Sequence, residues 1–269
     1  VSGLIYRMKQ NAVGLANICI MSTIVLVLIS VTASLYIGQE NVMDTRFKTE
    51  FSATSDQTTP ENIQAMERIV KEETEKRQLQ IIHEQKFRYV PLSVLKEGNR
   101  LEFDIESGNG YDADKMRGLY VLPLEDYNAL ERTAVSLAED EVLTYFPNED
   151  FESGEIMIAG ENYHVKENLQ QSNLQKKRES GVTENVYLVM ADDAAVEHVI
   201  QLYGPTRVPI TMQYLLNFDL KGEKAAKIDA LEAMKTQLET SGEVQSCYVE
   251  YREAYAQEFY GIYGGFFFL

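Results

Sequence analysis

Hydrophobic and polar positions follow three different rhythms along this chain. From Ala12 to Gly38 they have no rhythm at all: A-V-G-L-A-N-I-C-I-M-S-T-I-V-L-V-L-I-S-V-T-A-S-L-Y-I-G carries no charge and is apolar on every side of a helix. At about 1.5 Å of rise per residue such a helix would be roughly 40 Å long, more than the roughly 30 Å hydrocarbon core of a bilayer. Lipid offers the backbone no hydrogen-bond partners, so a spanning segment must satisfy them internally as a helix. The run predicts a transmembrane helix over 12–38. A secretory signal also has a basic start and an apolar stretch, but its apolar region ends by about 15 residues. This run is longer.

After Gly38 the pattern becomes that of a water-soluble domain. Asn41–Thr59 is polar and rich in Ser and Thr, and is expected to be a linker or a continuation of the first helix. Thr59-Pro60-Glu61 predicts a helix start, with Thr as N-cap, Pro at the first position and an acid in the first turn. Ile63, Met66, Ile69 and Val70 then share one face, and the charges between Glu67 and Arg77 form the solvated one.

From Phe87 the period shortens to two. Phe87-Arg88-Tyr89-Val90 and Leu101–Ile105 alternate like half-buried strands around a turn at Glu97-Gly98-Asn99. Arg117–Leu122 is a strand stopped by Pro123, and Leu124–Leu130 a short amphipathic helix. Three short strands follow over Glu141–Phe146, Glu155–Ile158 and Asn162–Val165, and Gln170–Gly181 is a polar loop. Val186–Met190 is a strand. Asp192 caps a helix over Asp193–Tyr203, ended by Gly204-Pro205. Ile210–Leu220 alternates again. Glu223–Leu238 is a helix with Ala226, Ala230, Leu231, Met234 and Leu238 on one side, broken at Ser241-Gly242. Val244–Val249 is a last strand. Helices and strands mix without a strict βαβ repeat, which gives an α+β fold.

The end of the chain turns apolar once more. Tyr251, Tyr255, Phe259, Tyr260 and Tyr263 lead into G-I-Y-G-G-F-F-F-L and read as an aromatic belt at a membrane interface. Gly261 and Gly265 have the spacing that lets membrane helices pack closely. A second membrane helix is expected to begin at 259–269, and the start at Val1 leads to the expectation of a piece cut from a longer protein. Arg7 and Lys9 are the only charges before Glu40, and Tyr36 lies near the far boundary. By the positive-inside rule residues 1–11 are a cytoplasmic flank and 39–258 an extracellular domain.

Charge changes the picture of the partners. The 269 residues carry 25 cations against 42 anions, a formal net charge of −17, and the two cations before the apolar run make the remainder more acidic still. Such a domain excludes nucleic-acid binding by phosphate neutralisation; its summed field would attract cationic ligands, while charge alone reads first as a solvated, soluble surface. Cys19 lies in the membrane run and Cys247 far from it, so no disulfide is expected.

Candidate chemistry is thin. His83, His164 and His198 are scattered, and no nucleophile elbow, P-loop or dinucleotide fingerprint is present. Asp104, Glu106, Asp112 and Asp114 surround a Gly-rich loop but lack the spacing of a calcium loop. No enzyme site, metal site or cofactor is expected.

Residues 6–38, L-P-L-E-D-Y-N-A-L at 122–130 and E-F-Y-G-I-Y-G-G-F-F-F-L at 258–269 resemble the Bce-type permeases. These are FtsX-like subunits of ABC transporters for bacitracin, nisin and related peptide antibiotics. The resemblance implies a ten-helix permease, with this chain covering its seventh helix, its outer domain and the start of its eighth. It further implies a cytosolic ATPase subunit, a membrane sensor histidine kinase, and recognition of a cationic peptide antibiotic or its complex with a lipid-linked cell-wall precursor. It carries no catalytic or ligand-binding residue onto this sequence. Two readings with the same layout stay open: an FtsX-type regulator of a cell-wall hydrolase, and the input domain of a two-helix receptor.

Overall fold

The computed structural model describes residues 2–47, 49–103, 113–149, 151–175, 184–204 and 209–256, with α1 side chains at 12, 14–31, 33, 34, 38 and 43. In chain order the elements are α1 (Ser2–Arg46), β1 (Phe51–Ser55), α2 (Pro60–Lys76), β2 (Gln80–Glu97), β3 (Arg100–Glu102), β4 (Met116–Pro123) and α3 (Leu124–Glu131). They continue with β5 (Glu141–Tyr145), β6 (Glu155–Ile158), β7 (Glu161–Leu169), β8 (Glu184–Met190), α4 (Asp193–Tyr203), β9 (Gln213–Lys221), α5 (Lys224–Thr240) and β10 (Cys247–Tyr251). Residues 252–256 are helical. The fold is α+β. The chain divides into one unit of 1–46 with 256–269 and another of 47–255.

In the first unit, the window Gly14–Val31 of α1 has a mean hydropathy of 2.3 and none of it is buried. It is long and apolar enough to cross a membrane. Ser22 and Thr23 do not interrupt it, because their hydroxyls donate back to the carbonyls of Ile18 and Cys19 at 2.7 and 2.8 Å.

The second unit has two lobes. In the first, β10, β1, β9 and β2 lie in that order with every pairing antiparallel. Two β-α-β units, β1-α2-β2 and β9-α5-β10, interleave to give this order, which is the split βαβ arrangement of ferredoxin-like folds. Alternation puts Phe51, Tyr214, Leu216 and Phe218 on one face, where Met66, Ile69 and Val70 of α2 and Leu231 and Met234 of α5 cover them. Phe51 and Phe218 are fully buried, and their rings stack at 4.7 Å. The N-cap at Thr59 forms as the sequence predicts, its side chain accepting from the Asn62 N–H.

The second lobe is inserted between β2 and β9. Its pairings run β2–β3–β6–β7–β5–β8–β4 and return from β4 to β2, so the strands form a closed ring. Closure removes the exposed edges that an open sheet would present. One face of the ring buries Val90, Leu92, Leu119, Val121, Val186 and Leu188, and Val196 and Val199 of α4 join the same core. The opposite face carries a tyrosine row. Tyr89, Tyr120 and Tyr187 follow one another at ring distances of 5.1 and 5.2 Å, and Tyr145 lies 5.8 Å beyond. Leu124 and Tyr127 of α3 pack in this same third core.

Three expectations change. The segment expected to be a linker or a continuation of the first helix does continue α1 as far as Arg46, but it also holds β1, an internal strand whose only large apolar residue is Phe51, with Ala53 and Ser55 filling the other inward positions. The strand expected over Phe87–Val90 is 18 residues long and serves both lobes. Tyr251 is not part of an interfacial belt: it ends β10 opposite Phe51 and is 6% exposed, because alternation turns it into the first lobe's core.

Glu73 joins α2 to α5. It pairs with Arg77, which reaches Asp229 at 2.7 Å, and it accepts from Gln237 at 2.8 Å. Burial opposes its ionisation, but the hydrogen bonds from Gln237 and Arg77 outweigh that and hold its pKa below the usual glutamate range. A depressed carboxylate stabilises the fold above its unfolded pKa of about 4.3 and loses that contribution as pH falls through the lower folded value. Melting temperature should therefore fall more steeply below pH about 4.3 in the wild type than in Glu73→Gln. Phe218→Ala should cost about 3–5 kcal/mol in chemical denaturation, since it opens a cavity against Phe51.

Candidate functional site

The two lobes meet where β2 changes partners. Its residues Gln80–Tyr89 pair with β9, and Val90–Leu95 pair with β4. Arg88 lies just before that change. Pro123 ends β4 and starts α3, whose Leu124 and Tyr127 point inward, so Glu125 and Asp126 in the first turn flank the strand. Asn128 then fixes the exit of α3, donating to the Val135 carbonyl at 2.9 Å and accepting from the Val135 N–H at 3.0 Å.

Asp126 holds Arg88 twice. One carboxylate oxygen accepts the Arg88 backbone N–H at 2.8 Å, and the other accepts Nε at 2.9 Å and Nη2 at 2.8 Å. The backbone contact occupies a donor of β2 two residues before β4 takes over. Arg88 also reaches Asp193 of α4 at 2.9 Å and Glu125 at 3.3 Å. Burial disfavours the guanidinium charge, but bonds to Asp126 and Asp193 outweigh it and raise the Arg88 pKa. For Asp126 burial prevails, and its carboxyl is pushed above the ordinary aspartate value against the pull of Arg88.

Beside this cluster is a cavity of about 380 Å³ lined by Thr58, Pro60, Ile63 and Gln64 from the start of α2, by Arg88, and by Glu125, Asp126 and Ala129 of α3. Nearby, Glu67 of α2 accepts from Tyr214 at 2.8 Å and pairs with Lys86 at 2.9 Å. A second cavity of about 350 Å³ lies against Phe146, Phe151, Glu149 and Asn168. There Glu149 is committed to Lys96 at 2.6 Å and to Arg117.

The structure does not gather the histidines. His83 bonds Asp219 at 2.8 Å at the bulge in β2, His198 bonds Glu161 at 2.8 Å on α4, and His164 lies on β7 opposite Glu141 and Glu155. Among the described residues no three His, Cys, Asp or Glu side chains are placed to hold a metal. Cys19 and Cys247 are both free, and burial pushes the Cys247 thiol up to about 12. Such a thiol is inert.

Of the residues expected at membrane interfaces, Tyr255 is described: it is partly buried, with its ring 5.5 Å from that of Phe47. The side chains of Arg7, Lys9 and Tyr36, and residues Phe259, Tyr260, Gly261, Tyr263 and Gly265, lie outside the described residues, as do Asp104, Glu106 and Asp112. The Arg88 cluster was not expected from sequence. Its members come from β2, α3 and α4, and no local spacing links them.

No protein-family model matches the chain, and no curated relative does. Among solved structures, a crystal structure at 1.5 Å of a Bacillus anthracis protein assigned as a lipoprotein aligns with 74% of this chain and 97% of its own. The identity is 9% and the TM-score 0.31, a level that identifies neither fold nor role.

Replacing Arg88 by Met leaves Asp126 buried without its cation. This should cost about 3–5 kcal/mol in denaturant unfolding, whereas Glu125→Gln, at an exposed pair, should change stability by about 1 kcal/mol or less.

Proposed function

We propose that the chain is part of a multi-pass permease subunit of an ABC transporter that recognises peptide antibiotics, or their complexes with lipid-linked cell-wall precursors, and removes them at the cell surface. In this reading the 47–255 unit is the extracellular recognition domain. α1 is one membrane span, and the apolar run at 259–269 starts the next. ATP is hydrolysed in a cytosolic partner subunit, and a sensor histidine kinase shares the complex. The chain itself has no catalytic role.

One observation carries the proposal beyond the sequence resemblance. The first and last strands of the unit are neighbours: Phe51 through Ser55 pair in register with Tyr251 through Cys247, and the Arg252 N–H donates to the Glu50 carbonyl at 3.1 Å. Both ends of the domain therefore leave it at one place. A domain inserted between two consecutive membrane helices needs that geometry. A ligand event that shifts one end against the other would be delivered as relative motion of two helices, and ATP-driven helix motion would act on the domain in reverse. The acidic surface supports a cationic ligand, whose encounter it would accelerate at low ionic strength.

Deleting the gene in its host should lower the minimal inhibitory concentration of bacitracin- or nisin-class peptides, and the detergent-solubilised protein should co-purify with an ATPase. Unchanged susceptibility together with recovery of a cell-wall hydrolase would move the assignment to a regulator that transports nothing.

A further inference from the structure

The cleft between the lobes has two kinds of wall. Pro60, Ile63 and Ala129 supply apolar surface, while Glu125 and Asp126 stand with Arg88 on the polar side. One guanidinium faces three carboxylates there, so negative charge is in excess. The three are not equivalent. Asp126 has both oxygens committed to Arg88, and Asp193 bonds it at 2.9 Å. Glu125 meets Arg88 only at 3.3 Å, and its side chain is 87% exposed. Asp193 does not line the cleft, so of the two carboxylates that do, Glu125 is the one with capacity left.

Resting on the peptide-recognition reading above, the geometry points to this cleft as the seat of a single cationic side chain of a peptide ligand, a primary ammonium on an aliphatic stem. A cavity of about 380 Å³ lies at the small end of ligand sites and holds one long side chain rather than a folded peptide. The stem lies along Ile63 and Ala129, as lysine stems do on apolar surface with the charged head kept near water. The ammonium bonds Glu125, with the Gln64 carbonyl and the Thr58 hydroxyl as further acceptors. A guanidinium fits less well, because the paired acceptor geometry it would use on Asp126 is already taken by Arg88. An anion is repelled by the uncompensated carboxylate.

The test uses the full chain in detergent micelles and fluorescently labelled nisin as the probe, read by anisotropy. Ala129→Phe, which fills the cleft from an exposed helix position, and Glu125→Lys should each weaken binding by about tenfold or more, the scale of one charge-assisted hydrogen bond. Glu155→Lys makes the same change of net charge on exposed β6 and should leave binding nearly unchanged. Nisin with its amines acetylated should bind as poorly to the wild type as nisin does to Glu125→Lys. Equal losses in Glu125→Lys and Glu155→Lys, or undiminished binding by Ala129→Phe, would overturn the cleft assignment while leaving peptide recognition standing. No binding of nisin to the wild type would remove both.

Discussion

The second unit depends on one strand belonging to two sheets. The 18 residues of β2 would reach roughly 60 Å fully extended, and along that length the strand satisfies the antiparallel ladder of the first lobe and then closes the ring of the second. Its side chains serve three cores: Ile81 packs against that of the first lobe, Phe87 and Tyr89 lie under α3, and Val90, Leu92 and Val94 lie in the ring. Pro91 falls between the last rung to β9, at Tyr89, and the first rung to β3, at Leu95, so its missing N–H costs no bond with either strand. Arg88 and Asp126 brace the change of partners with one charged pair. Asp126 accepts from both backbone and side chain there, so its loss would strip an acceptor from the β2 backbone as well as a counter-charge from Arg88.

The fold class and most elements were legible because they rest on local chemistry. Thr59-Pro60 and Asp192 cap their helices as written, and Gly204 ends α4 with a positive φ of 80° that glycine adopts without strain. Period-two alternation marked β9. β1 was not legible, because an inward row of Phe, Ala and Ser carries little hydrophobic contrast. The length of β2 was hidden by Pro91, which argues against a strand unless its pairing is known. Pairing itself is non-local: β1 meets β9 and β10 across most of the chain. The cleft was hidden for the same reason, since its lining comes from α2, β2 and α3 and gains meaning only once β2 has brought them together.

The way the unit begins shows how its two ends are held together. β1 begins at Phe51, and Glu50 just before it is held on several sides. The Glu50 N–H donates to Asp219 at 2.8 Å, and its carboxylate accepts the Leu220 N–H at 2.9 Å and pairs with Lys227 of α5. Its carbonyl accepts the Arg252 N–H beyond β10. One residue thus ties the entry of the domain to β9, α5 and its exit. With its backbone N–H, its carbonyl and its carboxylate all engaged, Glu50 fixes this end of the unit to the sheet. From there the first covalent route to the second lobe is β2, whose register to β9 shifts between Ile82 and Gln85. A bulge bends a strand locally without breaking it. Coupling between entry and cleft therefore needs no dedicated wire, because the strand that carries the Arg88 cluster is itself paired with the strand, β9, on which the entry is anchored.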